Sequence, residues 1–494
     1  MKTIGLLLVS LLSFQSAILG QDYLMNNWPF GTNEYPGVDG YGNGLVRFDG
    51  NTAWVEYPIE LNMNFETTVG VINDSIGNLI AYTNGCYIAN GFGDTIPNSA
   101  GLNPGEVNAL SCPNHGYISP KGAVFIPFPD QSTQYYLIHM GMHFDSLRKV
   151  MPGPLYYSVL DMNANMGTGA LTTKNTVLLE GELENFEIVR HGNGRDWWLL
   201  VPEQNSNRYN RFLIAPNGIE EIGAQEIGPV LICPREGGSA FSQDGSRYAR
   251  ARNCSALVFG FDRCSGVLSY EQEIKSLNHH WGGGGIAFSP DGSILFGSSL
   301  HVLWATDLTV PNPVPDTFQF FEYAWGTNIH QMQYGPDHQL YTNSMNRTHY
   351  YNQINFSGTS LDSVDFVFNG LPLPAYTIRT LPYFPNFKLY DLEGSVCDTL
   401  NINTHTSNLA EKAIELRASP NPVQDVLSIS IHGVEHLEQS VIVLKNINGL
   451  ALEQIPLKQK AMPIEFNMKK YPAGVYFLSV YSRSGHQTIK IVKV

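Results

Sequence analysis

The chain has little charge: Asp, Glu, Lys and Arg make up 15% of its 494 residues. Basic residues are outnumbered, 29 against 44 acidic ones. Without a basic face to neutralise phosphates, nucleic acid is excluded as a partner. Long apolar runs are missing after the N-terminus, where no stretch approaches the ~20 apolar residues of a membrane-spanning helix. The common catalytic signatures are absent too. There is no His-Glu-x-x-His, Gly-x-Ser-x-Gly, Gly-x-x-x-x-Gly-Lys or Cys-x-x-Cys, which removes the best-known hydrolase, nucleotide and thiol-redox readings. Histidines occur without metal-ligand spacing, and the glycine-rich WGGGG (281–285) and DGYGNG (39–44) precede no helix. No metal or cofactor is therefore expected.

What is plentiful is Gly (47), Pro (29), Tyr (25) and Phe (25). That mixture suits many short strands joined by tight turns, and the length predicts more than one unit. Residues 1–20, MKTIGLLLVSLLSFQSAILG, carry one lysine, an apolar run from Ile4 to Leu12 and then small and polar residues. This is the pattern of a secretory signal peptide. All six cysteines follow it, and export makes disulfides possible. Residues 411–494 hold ten Lys/Arg against seven Asp/Glu, leaving 19 against 37 for the rest, so the C-terminal piece is a different object from the body.

A repeat runs along that body. SAFSQDGSRYARAR (239–252) and IAFSPDGSILFGSS (286–299) are each a strand, an Asp-Gly turn and a second strand, the grammar of a hairpin. Equivalent aspartates stand at Asp74, Asp130, Asp196, Asp244, Asp291 and Asp337. The later copies leave room for two more strands each. Four antiparallel strands per ~47 residues is the size of a propeller blade. The expected fold of residues 21–390 is an all-β, six-bladed β-propeller, with seven blades as the alternative count. GLVRFDG (44–50) is expected to complete the last blade.

The phrases FSPDGSILF, DSIGNLIAYTNG, HGNGRDWWLL, FGFDRCSGVLS and LPYFPNFKL resemble secreted Bacteroidetes propeller proteins of the WD-repeat-like and lactonase-like kind. The resemblance implies no particular activity. Residues 391–412 are polar and strand-poor, a linker. Residues 413–494 read as about seven short strands, a small Ig-like β-sandwich. The motifs Pro420-Asn421-Pro422, Asn448-Gly449, Gly474-Val475-Tyr476-Phe477 and Lys490-Ile491-Val492-Lys493 resemble the type IX secretion C-terminal sorting domain. This implies the type IX machinery as partner, with Gly474, Val475, Tyr476, Lys490 and Lys493 in the sorting signal. The product would be a secreted or surface-attached protein.

Two places compete for a functional site. IVRHGNGRDWWLL (188–200) crowds His191, Asn193, Arg195 and Asp196 around two glycines, but it occupies the turn leaving an inner strand and reads as structural. The loops leading into the inner strands are the better candidates, because in a propeller they share one rim. They carry His115, Lys121, Glu184, Arg235, Glu236, His279, His280, Trp281, Trp325 and His330, a set suited to a polar glycan or peptide ligand. The readings are a surface binding or adhesion module, or a hydrolase or lyase using rim histidines and carboxylates as acid and base. For disulfides, an antiparallel hairpin returns the chain to the face it left, pairing Cys233 with Cys254 and Cys86 with Cys112. Cys264 and Cys397 are left without an assigned partner.

Overall fold

A computed structural model describes residues 22–494, apart from 36, 50–51, 233–236, 253–254, 276–283, 299–301, 311–312, 314, 321–328, 401–414, 433–439, 447–450, 458–462 and 483–484. The signal peptide expected at 1–20 thus lies outside the described residues. The chain divides into two compact units, Met1–Ile402 and Asn403–Val494.

The first unit is a β-propeller. Its described residues form seven small antiparallel sheets, each made of consecutive strands. Sheets two to seven begin with Gly70–Asn73, Ala123–Pro127, Glu187–Arg190, Gly238–Phe241, Ile286–Phe288 and Ile329–Tyr334. Each repeat aspartate falls in the turn between the first and second strands of one of these six sheets. Asp74, Asp244 and Asp291 accept hydrogen bonds from backbone amides two residues on, which closes the turn without help from solvent. First strands of most successive sheets touch one another, and those of sheets two, three, four and six are almost wholly buried, as stacking around an axis requires.

GLVRFDG does not complete the seventh sheet, which has four strands of its own. It lies mostly in Gly42–Asp49, between Asn27–Thr32 and Thr52–Glu56, a separate first sheet. Asn27–Thr32 contacts both Val364–Thr377 of the seventh sheet and Gly70–Asn73 of the second, so this extra sheet sits between them. The segment 380–389, TLPYFPNFKL, then fills the axis. Thr380 Oγ1 donates to Phe65 O (2.9 Å), Ile188 N to Tyr383 Oη (2.9 Å), Phe384 N to Gln333 Oε1 (3.2 Å) and Asn386 Nδ2 to Gln243 O (2.6 Å). Those partners belong to four different parts of the ring, and only a strap running along its middle reaches them all. Pro382 and Pro385 cannot donate ladder bonds, which keeps the strap irregular, while Phe384 and Phe387 are buried.

Cys86 and Cys112 form the expected disulfide. Cys264 pairs with Cys397, and Cys233 and Cys254 lie outside the described residues. The Cys264–Cys397 bond moves a boundary. Residues 391–399, expected to open the linker, are fastened to the propeller by that bond and by Leu392 N donating to Gly192 O (2.7 Å).

The described residues of the second unit form seven strands in two sheets. Glu415–Ser419, Val426–His432 and Ile464–Asn467 form one; Ala451–Pro456, Val441–Asn446, Gly474–Ser482 and Gly485–Lys493 form the other. Leu427, Ile429, Ile442, Leu444, Leu478 and Ile491 are buried together, the alternate residues that face inward in a sandwich.

Candidate functional site

The stretch 188–200 is a hairpin turn. His191 N donates to Asp196 O (2.9 Å), Gly194 N to His191 O (3.0 Å), and the Asn193 side chain accepts from the amides of Arg195 and Asp196. His191 accepts from Asn193 N at Nδ1 and reaches Cys264 O with Nε2; burial lowers its pKa. That leaves a neutral imidazole with both nitrogens occupied. Arg190 lies over the Trp197 ring at 3.8 Å and donates to the carbonyls of Gly194 and Arg195. Burial pulls its pKa down to about 9. Gly192 is pressed against the clasp, where a Cβ would stand 2.5 Å from Cys397 Sγ. Gly194 has φ +74°, and a Cβ there would meet Asp391 N at 2.8 Å. Gly194→Val should therefore lower the denaturation midpoint by an equivalent of about 1–3 kcal/mol. His191→Ala, removing two hydrogen bonds from a buried ring, should cost about 1 kcal/mol. Equal losses in thermal melts would contradict this assignment of roles.

The lead-in face is different. A cavity of about 680 Å³ opens there, lined by Lys121, Glu184, Arg252 and His330 together with Asn185, Gln204 and Gln331. Four sheets supply these side chains. Val150, Met151, Pro152 and Met345 add apolar wall; the first three come from the long hairpin formed by Gln134–Phe144 and Val150–Asp161. Below it the strap closes the axis, leaving a void of about 60 Å³.

Most of the charge in the cavity is already paired. Lys121 Nζ donates to Glu187 Oε1 and Ser239 O, both at 2.8 Å, and faces the Tyr383 ring. Glu184 takes Arg250 Nε at 2.6 Å on one oxygen and Arg252 Nη1 at 3.3 Å on the other. Burial pulls Arg250 toward losing its proton, but the Glu184 carboxylate outweighs this and its pKa ends above the ordinary value. His330 is held neutral: burial, then Arg379 nearby, pushes its pKa down to about 4. Its Nδ1 has no hydrogen-bond partner among the described residues.

Of the rim residues expected from the sequence, the cavity brings together Lys121, Glu184 and His330. His115 is not among its lining; its Nδ1 lies 3.1 Å from Glu66 Oε1, with Glu34 Oε1 at 3.9 Å. Arg235, Glu236, His279, His280, Trp281 and Trp325 lie outside the described residues. Arg250, Arg252 and Glu187 escaped the sequence reading. The signal for the arginines was in the repeat, since Arg250 and Arg252 of RYARAR stand where the next copy has Gly297 and Ser299. An arginine on the alternating buried face of a second strand needs a carboxylate partner.

The second unit joins its sequence motifs through its own hydrogen bonds. Asn421 of the Pro-Asn-Pro motif donates to Lys490 O (2.6 Å) and accepts from Val492 N (2.8 Å), joining two of the sequence motifs. Gly474–Ser482 pairs with Gly485–Lys493 along its whole length. Residues 417–494 match the family described as secretion system C-terminal sorting domain. The tail is a type IX sorting domain. Its sorting role makes this a secreted or cell-surface protein, and no described helix is long and apolar enough to cross a membrane.

No curated protein matches the chain. Among solved structures it is similar to a protein from Lactobacillus plantarum, at 13% identity, TM-score 0.43, over 72% of this chain and 98% of that one. It is also similar to a putative 6-phosphogluconolactonase from Bacteroides fragilis (11%, 0.42, 72% and 97%). A third is the periplasmic gluconolactonase of Pseudomonas aeruginosa (13%, 0.42, 72% and 98%).

Proposed function

We propose that the sorting domain delivers an extracellular binding module, whose propeller holds a small polar ligand, a glycan or a peptide, in the cavity on its lead-in face. The observation that carries this reading is the convergence of Lys121, Glu184, Arg252 and His330 from separate sheets on one cavity of about 680 Å³. That volume lies within the usual range of small-molecule sites. Paired charges favour binding over acid–base chemistry: Glu184 is engaged by two arginines, so it is a poor base. The hydrolase or lyase reading draws its support from the His115–Glu66 contact, which lies away from this cavity's lining.

The test is a glycan and peptide array probed with purified propeller, run beside an esterase panel. His330 Nδ1 is unpartnered among the described residues, so His330→Ala strands no protein partner there. It should weaken binding of an array hit by ~10-fold, the worth of a hydrogen bond or two, and leave the melting temperature nearly unchanged. Unchanged affinity would exclude this cavity as the site, and turnover of an ester lost on His115→Ala would favour the enzyme.

A further inference from the structure

Glu34, Glu66 and His115 bring one potential ligand atom each to within 4.8 Å of one another. They come from three separate loops, after Asn27–Thr32, before Gly70–Asn73 and before Ala123–Pro127. We propose that they form a divalent transition-metal site, best suited to Zn²⁺, that ties the first three sheets together at the lead-in face.

Three observations support it. The first is spacing. Donor atoms around a tetrahedral zinc stand ~3.3 Å apart, given metal–ligand bonds of about 2.0–2.2 Å. His115 Nδ1 already lies 3.1 Å from Glu66 Oε1 and 3.9 Å from Glu34 Oε1, so modest side-chain rotation closes the set. The second is electrostatic. Two carboxylates share one partly buried place, their side chains 19% and 17% exposed. A dication relieves both the desolvation and the repulsion. The third is preorganisation by neighbouring asparagines. Asn33 N donates to Asn64 Oδ1 (2.8 Å) and Asn64 Nδ2 donates to Asn114 O (2.7 Å), fixing the three loops one or two residues from the ligands. The Cys86–Cys112 bond anchors the loop of His115 as well.

One nitrogen and two carboxylates suit zinc and its first-row neighbours. Calcium prefers six to eight oxygens. Three protein ligands leave a fourth position for water or a ligand. Arg347 Nη2 pairs with Glu34 Oε2 at 3.1 Å; it is the competitor a metal must displace, and it also donates to Tyr41 Oη and lies over the Tyr41 ring.

The test uses the full chain stripped with EDTA and titrated with Zn²⁺ or Ca²⁺ by calorimetry, with melting temperature read in parallel. One zinc should bind and raise the melting temperature, while calcium should do neither. Glu66→Gln and His115→Ala should each weaken zinc by more than ~10-fold, whereas Arg347→Ala should tighten it. Co²⁺ in place of zinc should give the visible absorption of a four- or five-coordinate ion, lost on His115→Ala. Zinc affinity unchanged by both ligand variants would overturn the proposal, as would no zinc binding by a wild-type chain whose melting curve shows it folded. Because His115 is outside the 680 Å³ cavity's lining, failure here leaves the ligand-binding reading untouched.

Discussion

Deleting residues 485–494 should leave the protein in the periplasm, with essentially none at the surface or in the medium. The deletion removes an entire strand of the sorting domain, Gly485–Lys493, which pairs with Gly474–Ser482 from end to end. It also strips the partners of Asn421 and the buried Ile491. What remains is Gly474–Ser482 paired on one side only, with Val441–Asn446, its other edge exposed. A second variant separates signal from fold. Lys490 is exposed, so Lys490→Ala with Lys493→Ala should leave the sandwich folded. If the lysines are read by the secretion machinery, this variant also accumulates in the periplasm. Fractionation followed by immunoblotting decides both points, and normal surface levels of the deletion would remove the tail's role.

Arg250→Met should be the most damaging single substitution in the propeller, lowering stability by about 3–5 kcal/mol. Arg250 is fully buried and makes three contacts at once: Nε to Glu184 (2.6 Å), Nη1 to Ser206 O (2.9 Å) and Nη2 to Glu203 O (2.7 Å). Methionine fills a similar volume but leaves two carbonyls and part of a carboxylate unsatisfied in a dry interior. Adding Glu184→Gln should recover part of the loss, because the orphaned charge disappears, giving a coupling of ~1–3 kcal/mol in a double-mutant cycle. Urea denaturation measures it. Strict additivity would mean that the pair is not coupled.

Legibility in the sequence followed the range of the interaction. The Asp turns at 74, 130, 196, 244, 291 and 337 were readable because a hairpin satisfies its hydrogen bonds within a few residues. Cys86–Cys112 was readable for a related reason, since a short loop returns to the face it left. Cys264–Cys397 spans 133 residues and has no local signature. The Asn27–Thr32 sheet carries no copy of the turn motif, so counting copies could not reveal it. LPYFPNFKL entered the sequence reading only as a point of resemblance; its course as a strap was not legible, because its partners at Phe65, Ile188, Gln243 and Gln333 are scattered along the chain.

The sequence by itself determined the all-β repeat, the separate C-terminal sandwich and its type IX sorting motifs, all of which rest on periodicity and short-range turn chemistry. Only the tertiary structure decided where the rim residues lie and what they pair with. It placed Lys121, Glu184 and His330 around one cavity, brought His115 to Glu66 and Glu34 instead, and spent the charges of Lys121 and Glu184 on Glu187, Arg250 and Arg252. The physical reason is that a propeller's face is assembled from loops far apart in the sequence. A carboxylate's chemistry is set by whichever cation the closing of the ring brings beside it.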